Sequence, residues 1–360
     1  MSGSEGRVLR RVLRSAVPSL VALALGLLVA SLVMILFGED PVGVFSALFS
    51  GALTTQFGQS SVLNYMYAYL LLALAFLLPG KAGIWNIGGQ GQAILGGVTA
   101  ALLVEYVVLP PVLWPLTAIV VAALAGAAWS AVSGILEAYR NASAIVTTIM
   151  MNFIAASLAT FVLYYVLIPK AHVSSNLTWV NFPAGATLPT LPYFTSSIMV
   201  IVAPLVAVGC AFLLGRTTLG YKIRATGLGS RPAESKGINP RTSKVLAMLI
   251  GGGIAGLAGA GAVMSVGHGC GNIACYQDGF ATGWFGGFGF GGIAVALVAA
   301  NDPLGSIFSA VFFGVLAAGM PFVYQEIYVV WAMQGIIIIF MAAPQLSRMI
   351  LSFRRKSRWT

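Results

Sequence analysis

The side chains in this sequence that could do chemistry are mostly uncharged amides set among glycines. Asn86, Gln90 and Gln92 fall within one glycine-rich stretch, residues 80–97. Amides are costly in an apolar surrounding unless they are paired, so we expect these three to face the interior of a helical bundle or a water-filled cavity. A helix broken at residues 88–91 would expose backbone groups to a solute pathway. The alternative is structural, because small residues allow close helix packing and amides can then bond neighbouring helices.

A second glycine-rich stretch, residues 283–292, contains Phe288 and Phe290. Its glycine spacing is like that of a dinucleotide-binding loop, but no strand is predicted before it and no acidic residue follows at the required distance. The two glycine-interrupted spans lie five helices apart, and an odd separation reverses direction in a membrane. This arrangement indicates an inverted repeat with a pathway between the halves. A further amide, Asn152, lies in an apolar run, where either packing or ligand contact would satisfy it.

The sequence offers no catalytic residues. It lacks a G-x-x-x-x-G-K-[ST] motif, so we do not expect the chain to hydrolyse ATP itself, and neither His172 nor His268 has partners that suggest catalysis. Cys270 and Cys275 can form a disulfide if their side of the membrane is oxidising. A metal site at these cysteines and His268 is not expected, because a fourth ligand is missing.

The elements that position these residues must be membrane helices. Of the 360 residues, 59% are hydrophobic and 8% are charged, whereas soluble domains carry about 25% charged residues. Apolar segments long enough to cross about 30 Å of hydrocarbon recur along the whole chain. We therefore predict an all-α integral membrane protein with about ten transmembrane helices. The predicted spans lie at 17–37, 62–79, 84–104, 113–136, 144–168, 197–215, 245–266, 284–300, 303–322 and 327–346.

The charge distribution predicts the topology of these spans. The net charge is +10, and threading the chain from a cytoplasmic N-terminus places every one of the 19 Lys and Arg residues inside except Lys170. This pattern indicates cytoplasmic termini and contact with lipid, and it gives no reason to expect a nucleic-acid partner. The predicted organisation is a basic N-terminus at 1–16, a single transmembrane domain at 17–347 and a basic tail at 348–360. No charge need lie at a helix midpoint, which argues against ion coupling.

Two loops are long enough to have structure of their own. The outer loop, residues 169–196, is rich in proline and aromatic residues and suits contact with a partner or with the membrane interface. The inner loop, residues 216–244, is basic. Within it Ser230 can cap a short helix that Gly237 can end, so we predict a short basic helix on the cytoplasmic side.

Four segments, in order along the chain, resemble the permease subunits of bacterial and archaeal ABC importers for nucleosides and simple sugars. Branched-chain amino-acid permeases are more distant members of the same group. The resemblance is strongest to the nucleoside branch, and it implies a multi-pass protein of the cell membrane that forms a pathway for nucleosides. The segments lie at residues 83–97, 138–155, 222–260 and 287–305.

The resemblance also implies partners and site residues. Two permease subunits, identical or different, would assemble with two cytoplasmic ATPase domains that use ATP and Mg and with an extracytoplasmic binding protein, and this chain would bind no cofactor. The inner loop would include the coupling helix that contacts the ATPase, with Ala225, Gly227, Arg231, Glu234, Gly237 and Ile238 as its residues. The solute would pass an uncharged lining suited to neutral ribosides or sugars, formed by Asn86, Gln90, Gln92, Asn152, Phe288 and Phe290.

Three alternatives stay open at this point. A permease for a simple sugar would differ in the ligand that its binding protein retains. An ion-coupled secondary carrier would depend on an ion gradient and would not need an ATPase. A structural membrane subunit without a pathway would keep residues 83–97 inaccessible to water.

Overall fold

The structure is a computed structural model that describes residues 25–36, 38–111, 113–167, 172–174, 177–179, 185–191, 194, 196–265, 288–323 and 335–336. Within these ranges almost all regular structure is helical. A π-helical turn, Leu163–Leu167, extends α6, and a 3-10 turn, Met320–Phe322, follows α12. The helices are α1 (Leu25–Leu36), α2 (Pro41–Thr54), α3 (Gln56–Lys81), α4 (Gly89–Tyr106), α5 (Leu113–Arg140), α6 (Ala144–Val162), α7 (Met199–Arg216), α8 (Thr218–Leu228), α9 (Ser230–Glu234), α10 (Pro240–Met264), α11 (Phe288–Val298) and α12 (Gly305–Gly319).

The outer loop departs from the all-α expectation. It contains a short antiparallel hairpin formed by β1 (His172–Ser174) and β2 (Leu177–Trp179), in which Val173 pairs with Thr178. The prediction that this loop has structure of its own is therefore confirmed, although the structure is a strand pair and not a helix.

Six helices of the described chain are long and apolar enough to cross a membrane. They are α3, α5, α6 with its extension, α7, α10, and α12 with its extension, while α1, α2 and α11 are shorter apolar helices. This confirms a helical integral membrane protein. Of the ten predicted spans, 17–37 is described only over residues 25–36 and 327–346 only over residues 335–336, so the count of ten stays a prediction.

Helix α3 forms the centre of the bundle. Its most apolar window is 89% buried, against 28% for α5 and 17% for α6. It packs against α2, α4, α7, α10, α11 and α12. The outer faces of α5 and α6 carry large exposed apolar side chains, including Leu124 and Phe153, as expected for surfaces that contact lipid or another membrane subunit.

Glycines allow α10 to lie unusually close to α4 and α5. A Cβ added at Gly256 would collide with the carbonyl oxygen of Ala122 in α5, and one added at Gly96 in α4 would lie 2.6 Å from Gly256 Cα. Ser130 Oγ also donates to Met248 O at 2.7 Å, which joins α5 to α10. Close backbone approach with short polar bonds stabilises helix association where no water is excluded.

Candidate functional site

Between α3 and α4 the chain folds back along α3 before it becomes helical again. Helix α3 ends at Lys81, and the backbone N–H of Ile84 donates to Pro79 O at 3.1 Å. Asn86 reaches one turn further back, because its Nδ2 donates to Ala75 O at 3.1 Å. Residues 82–88 therefore run as a non-helical segment beside the last turns of α3.

Helix α4 consequently starts inside the bundle. A Cβ added at Gly89, its first residue, would lie 3.5 Å from Leu72 Cδ2. Leu72 precedes Lys81 by nine residues, which corresponds to about 13 Å along α3. The predicted break at residues 88–91 is thus wrong in position: the non-helical segment lies before Gly89, and α4 is continuous from there.

Asn86 and Gln92 pair with each other across this turn. Asn86 Nδ2 donates to Gln92 Oε1 at 3.1 Å, and Gln92 Nε2 donates to Asn86 Oδ1 at 2.9 Å. Asn86 Oδ1 also accepts from Gly88 N at 3.1 Å. The two side chains are 1% and 2% exposed. In this conformation their amides therefore hold the turn together, and their place on a solute pathway stays a prediction.

Asn152 of α6 fixes the start of α4 from the other side. Its Oδ1 accepts from Gly91 N at 2.8 Å, and its Nδ2 donates to Ile87 O at 3.0 Å. One turn earlier in α6, Thr148 Oγ1 accepts from Ile87 N at 3.2 Å. The first N–H groups of a helix have no partner within the helix, so Asn152 supplies one of them here. Of the two roles left open for Asn152, the packing role is the one that the structure displays.

Helix α11 starts beside the start of α4. A Cβ added at Gly289 would lie 2.7 Å from Gln90 Cβ, and one added at Gly292 would lie 2.6 Å from Leu72 Cβ. After α11, Asp302 interacts electrostatically with Lys81 at the end of α3, so α11 runs toward the end of the bundle at which α3 ends. The first described residues of α11 thus meet the start of α4 near Leu72, in the interior of the bundle, and Gln90 lies at their junction.

Three aromatic rings, those of Phe288, Tyr65 and Tyr69, form a cluster next to this junction. Phe288 stacks on Tyr65 with ring centroids 5.5 Å apart and planes 13° apart, and it contacts Tyr69 at 5.0 Å. Tyr65 and Tyr69 stack on each other at 6.3 Å, one helical turn apart. Phe290, in contrast, points away and is 59% exposed. The two tyrosines were not predicted as site residues, although their spacing of four residues in an apolar helix places them on one face.

The inner loop folds into two helices, α8 and α9. Thr217 caps α8 by accepting from Gly220 N at 3.0 Å. The prediction that Ser230 caps a helix is wrong, because Gly229 occupies the cap position of α9 and Ser230 is its first residue. After α9, Gly237 adopts a φ of +73°, and Ile238 N donates back to Ala233 O at 3.1 Å.

The predicted coupling residues are distributed over this loop with different exposure. Ala225 is half-buried in α8, and Gly227 lies near its end. Beyond α8, Ile238 is buried. The most exposed large apolar side chain of the loop is Leu228, at 91%. The exposed residues of the predicted set are Gly227, Arg231, Glu234 and Gly237.

Gly227 packs the inner loop against the non-helical segment, residues 82–88. A Cβ added at Gly227 would collide with the carbonyl oxygen of Lys81, and one added at Gly83 would lie 3.6 Å from Gly227 Cα. Gly83 itself has a φ of +82°, a conformation that favours glycine. The end of α8 therefore rests on the turn that leads into residues 84–88.

The two predicted disulfide partners, Cys270 and Cys275, lie outside the described residues. In the part of the chain that the structure describes, Cys210 is a buried free thiol, and no group of three or more His, Cys, Asp or Glu side chains could hold a metal ion.

Comparison with known proteins gives a consistent result. Residues 58–342 match the family described as "Branched-chain amino acid transport system / permease component". The chain is 30% identical to the guanosine ABC transporter permease protein NupP of Bacillus subtilis, over 97% of this chain and 99% of that protein. It is 29% identical to the nucleoside ABC transporter permease protein NupB of Lactococcus lactis, over 86% and 84% of the two chains. It is 30% identical to the glucose ABC transporter permease protein TsgB13 of Haloferax volcanii, over 84% and 79%. No solved structure matches the chain.

Proposed function

The chain belongs to the branched-chain amino acid transport system permease family, and from this membership we propose that it forms the nucleoside pathway of an ATP-driven importer. It is a multi-pass protein of the cell membrane. The observation that carries the proposal is the meeting of α4 and α11 at Gln90, inside the bundle. Two relatives named for nucleoside or guanosine transport support the substrate class.

Interrupted helices are a recurrent way to build a solute site within a membrane. Their N-termini carry a partial positive charge, and their first N–H groups can bond a solute. Here the junction of α4 and α11 offers an amide and aromatic rings, which suit a neutral riboside better than an ion. In this proposal Gln90 and Phe288 contact the solute at the junction, whereas Phe290 points away from it. Asn86, Gln92 and Asn152 act indirectly, because they hold the start of α4.

The opposite directions of α4 and α11 support an inverted repeat. Helix α11 runs alongside α3 toward Lys81, whereas α4 starts beside Leu72 and leads to Trp114 at the opposite end of the bundle, where Trp114 Nε1 donates to Val107 O. We also propose that the chain crosses the membrane about ten times and has both termini in the cytoplasm. The same threading places the exposed residues of α8 and α9 on the cytoplasmic side.

The inner loop suits contact with an ATPase. Leu228 exposes an apolar side chain on the surface of the loop, and Arg231 and Glu234 follow it on α9. In the proposal, cytoplasmic ATPase subunits bind and hydrolyse ATP with Mg and push on α8 and α9, and this chain binds no cofactor. A second permease subunit and an extracytoplasmic binding protein complete the importer, as the ABC transporter names of the relatives suggest.

A continuous series of contacts could carry this push to the solute. Gly227 touches Lys81 and Gly83, the chain then runs to Asn86, and Asn86 holds Gln92 within the first turn of α4. Close-packed contacts transmit displacement because packed interiors compress little. A shift of α8 would thus alter the position of Gln90 relative to α11.

Competition for uptake tests the substrate class. Vesicles containing the assembled importer would take up labelled guanosine in the presence of excess unlabelled uridine, glucose or leucine. The proposal predicts that uridine competes and that leucine does not. A relative is named for glucose transport, so uptake of labelled glucose with no uptake of labelled guanosine would replace nucleosides with a sugar as substrate.

A further inference from the structure

The aromatic cluster of Tyr65, Tyr69 and Phe288 is surrounded by polar atoms without protein partners. Neither tyrosine hydroxyl forms a hydrogen bond within the described part of the chain, and the same is true of the Gln90 side-chain amide. Tyr69 is 7% exposed. Tyr65 and Gln90 are half-buried, and none of these three polar groups is among the fully buried unpaired atoms of the described chain, so all three are open to a ligand beside the aromatic surface.

The geometry of the cluster matches the shape of a planar ligand. Tyr65 and Tyr69 present two ring faces on successive turns of α3, with planes 25° apart. Phe288 covers both of them, and its ring is nearly parallel to that of Tyr65. Nucleobases stack on aromatic side chains in the same way, whatever their hydrogen-bonding edge. The ring of Phe288 therefore occupies the place that a base would take.

Glycines determine how α11 packs next to Phe288. A Cβ added at Gly291 would collide with the ring of Tyr69, and one added at Gly289 would lie 2.7 Å from Gln90 Cβ. Without side chains at these two positions, α11 lies directly against Tyr69 and Gln90. A base that replaced the Phe288 ring would stack on the same faces of Tyr65 and Tyr69.

We propose that Tyr65 and Tyr69 form a stacking surface for the base of a nucleoside during its passage, that Gln90 and the tyrosine hydroxyls bind the polar edge of the base, and that Phe288 is the cover that the base displaces. This inference rests on the proposed function. In this inference the importer recognises the base of the nucleoside, so a purine, with its larger ring face, stacks more strongly on the two tyrosines than a pyrimidine does.

The test is a competition between two substrates in the assembled importer. Adenosine and uridine, with different labels, are supplied together, and the ratio of their uptake is divided by the ratio in which the binding protein holds them. Tyr65→Leu removes the ring, Tyr65→Trp enlarges it, and Tyr65→Phe keeps it without the hydroxyl. Phe161→Leu is the matched control, since Phe161 contacts another ring, that of Tyr165, on an exposed face of α6.

The expected result is opposite shifts for the two main variants. The adenosine-to-uridine ratio falls about threefold or more in Tyr65→Leu and rises in Tyr65→Trp, because stacking strength depends on ring area. It stays unchanged in Tyr65→Phe and Phe161→Leu. Equal loss of both substrates, or an unchanged ratio in Tyr65→Leu and Tyr65→Trp, would overturn the inference while leaving the proposed function intact. Failure of the wild-type importer to take up either nucleoside would overturn both.

Discussion

Asn86 and Gln92 bond each other twice, with Asn86 Nδ2 donating to Gln92 Oε1 and Gln92 Nε2 donating to Asn86 Oδ1. The first residue belongs to the non-helical segment after α3, and the second lies one turn inside α4. The pair therefore sets where α4 begins and how it enters the bundle. A helix that starts in the interior also needs partners for its first N–H groups, because no water is there to bond them, and Asn152 Oδ1 supplies one to Gly91 N.

Breaking one half of this pair should destabilise the protein. In Gln92→Leu the buried Asn86 amide loses its two bonds to Gln92 and keeps those to Ala75 O and Gly88 N, and we expect a loss of about 1–3 kcal/mol. The combined change of Asn86→Leu and Gln92→Leu removes both amides and should lose less than the sum of the single changes. Thermal unfolding of the purified variants in detergent measures this. Strictly additive losses would contradict the mutual pairing.

Adding a side chain at Gly227 should reduce the coupling of ATP hydrolysis to transport. In Gly227→Ala the new Cβ collides with Lys81 O, and overpacking of this kind costs roughly 1–3 kcal/mol, enough to lower transport per ATP hydrolysed about tenfold. Gly215→Ala is the control, since nothing lies within 4 Å of a Cβ there. Uptake and ATP hydrolysis are measured on the same vesicles. Equal behaviour of the two variants would rule out the proposed transmission through Gly227.

The conformation of Gly237 gives a second test of the inner loop. Its φ of +73° disfavours a side chain, so Gly237→Ala should cost about 1–2 kcal/mol and displace the end of α9. Gly237→Asn is the matched control, because asparagine tolerates this conformation better. We expect Gly237→Ala to reduce uptake per ATP hydrolysed and Gly237→Asn to retain most of it. Similar losses in both would show that the conformation is not what matters.

Glu234 should matter for assembly and not for folding. It is exposed and forms no ion pair with any described residue, so its carboxylate is available to an ATPase. We expect Glu234→Ala to reduce co-purification of the ATPase with this chain and to leave the unfolding temperature unchanged. Glu39→Ala, on the predicted outer side, serves as the control. Full co-purification and transport in Glu234→Ala would remove Glu234 from the proposed contact.

The sequence predicted the environment of the site better than its detailed structure. Apolar spans and basic loops follow from the energetics of burial in lipid, so the helical membrane fold could be predicted. The start of α4 could not be predicted, because it depends on the positive φ of Gly83 and on the hydrogen bond from Asn86 Nδ2 to Ala75 O in α3. The hydrophobic periodicity of a sequence does not indicate such contacts.

Other errors have equally local causes. Ser230 fits a cap by residue type, yet the backbone places Gly229 at that position, and the side-chain caps of the loop are Thr217 and Asn239. Tyr65 and Tyr69 look like ordinary apolar-helix residues until Phe288, more than 200 positions away, is brought onto them. The roles of amides are also undecidable from type alone, since Gln90 and Gln92 are two residues apart and only Gln92 pairs with another amide.

The decisive experiment is uptake of labelled guanosine by vesicles containing this chain, its ATPase and its binding protein, with and without ATP inside. We predict uptake that requires internal ATP, that stops when the ATPase is inactivated by mutation, and that is unaffected by collapse of ion gradients. Uptake that proceeds without ATP and follows an ion gradient would contradict it and identify the chain as a secondary carrier.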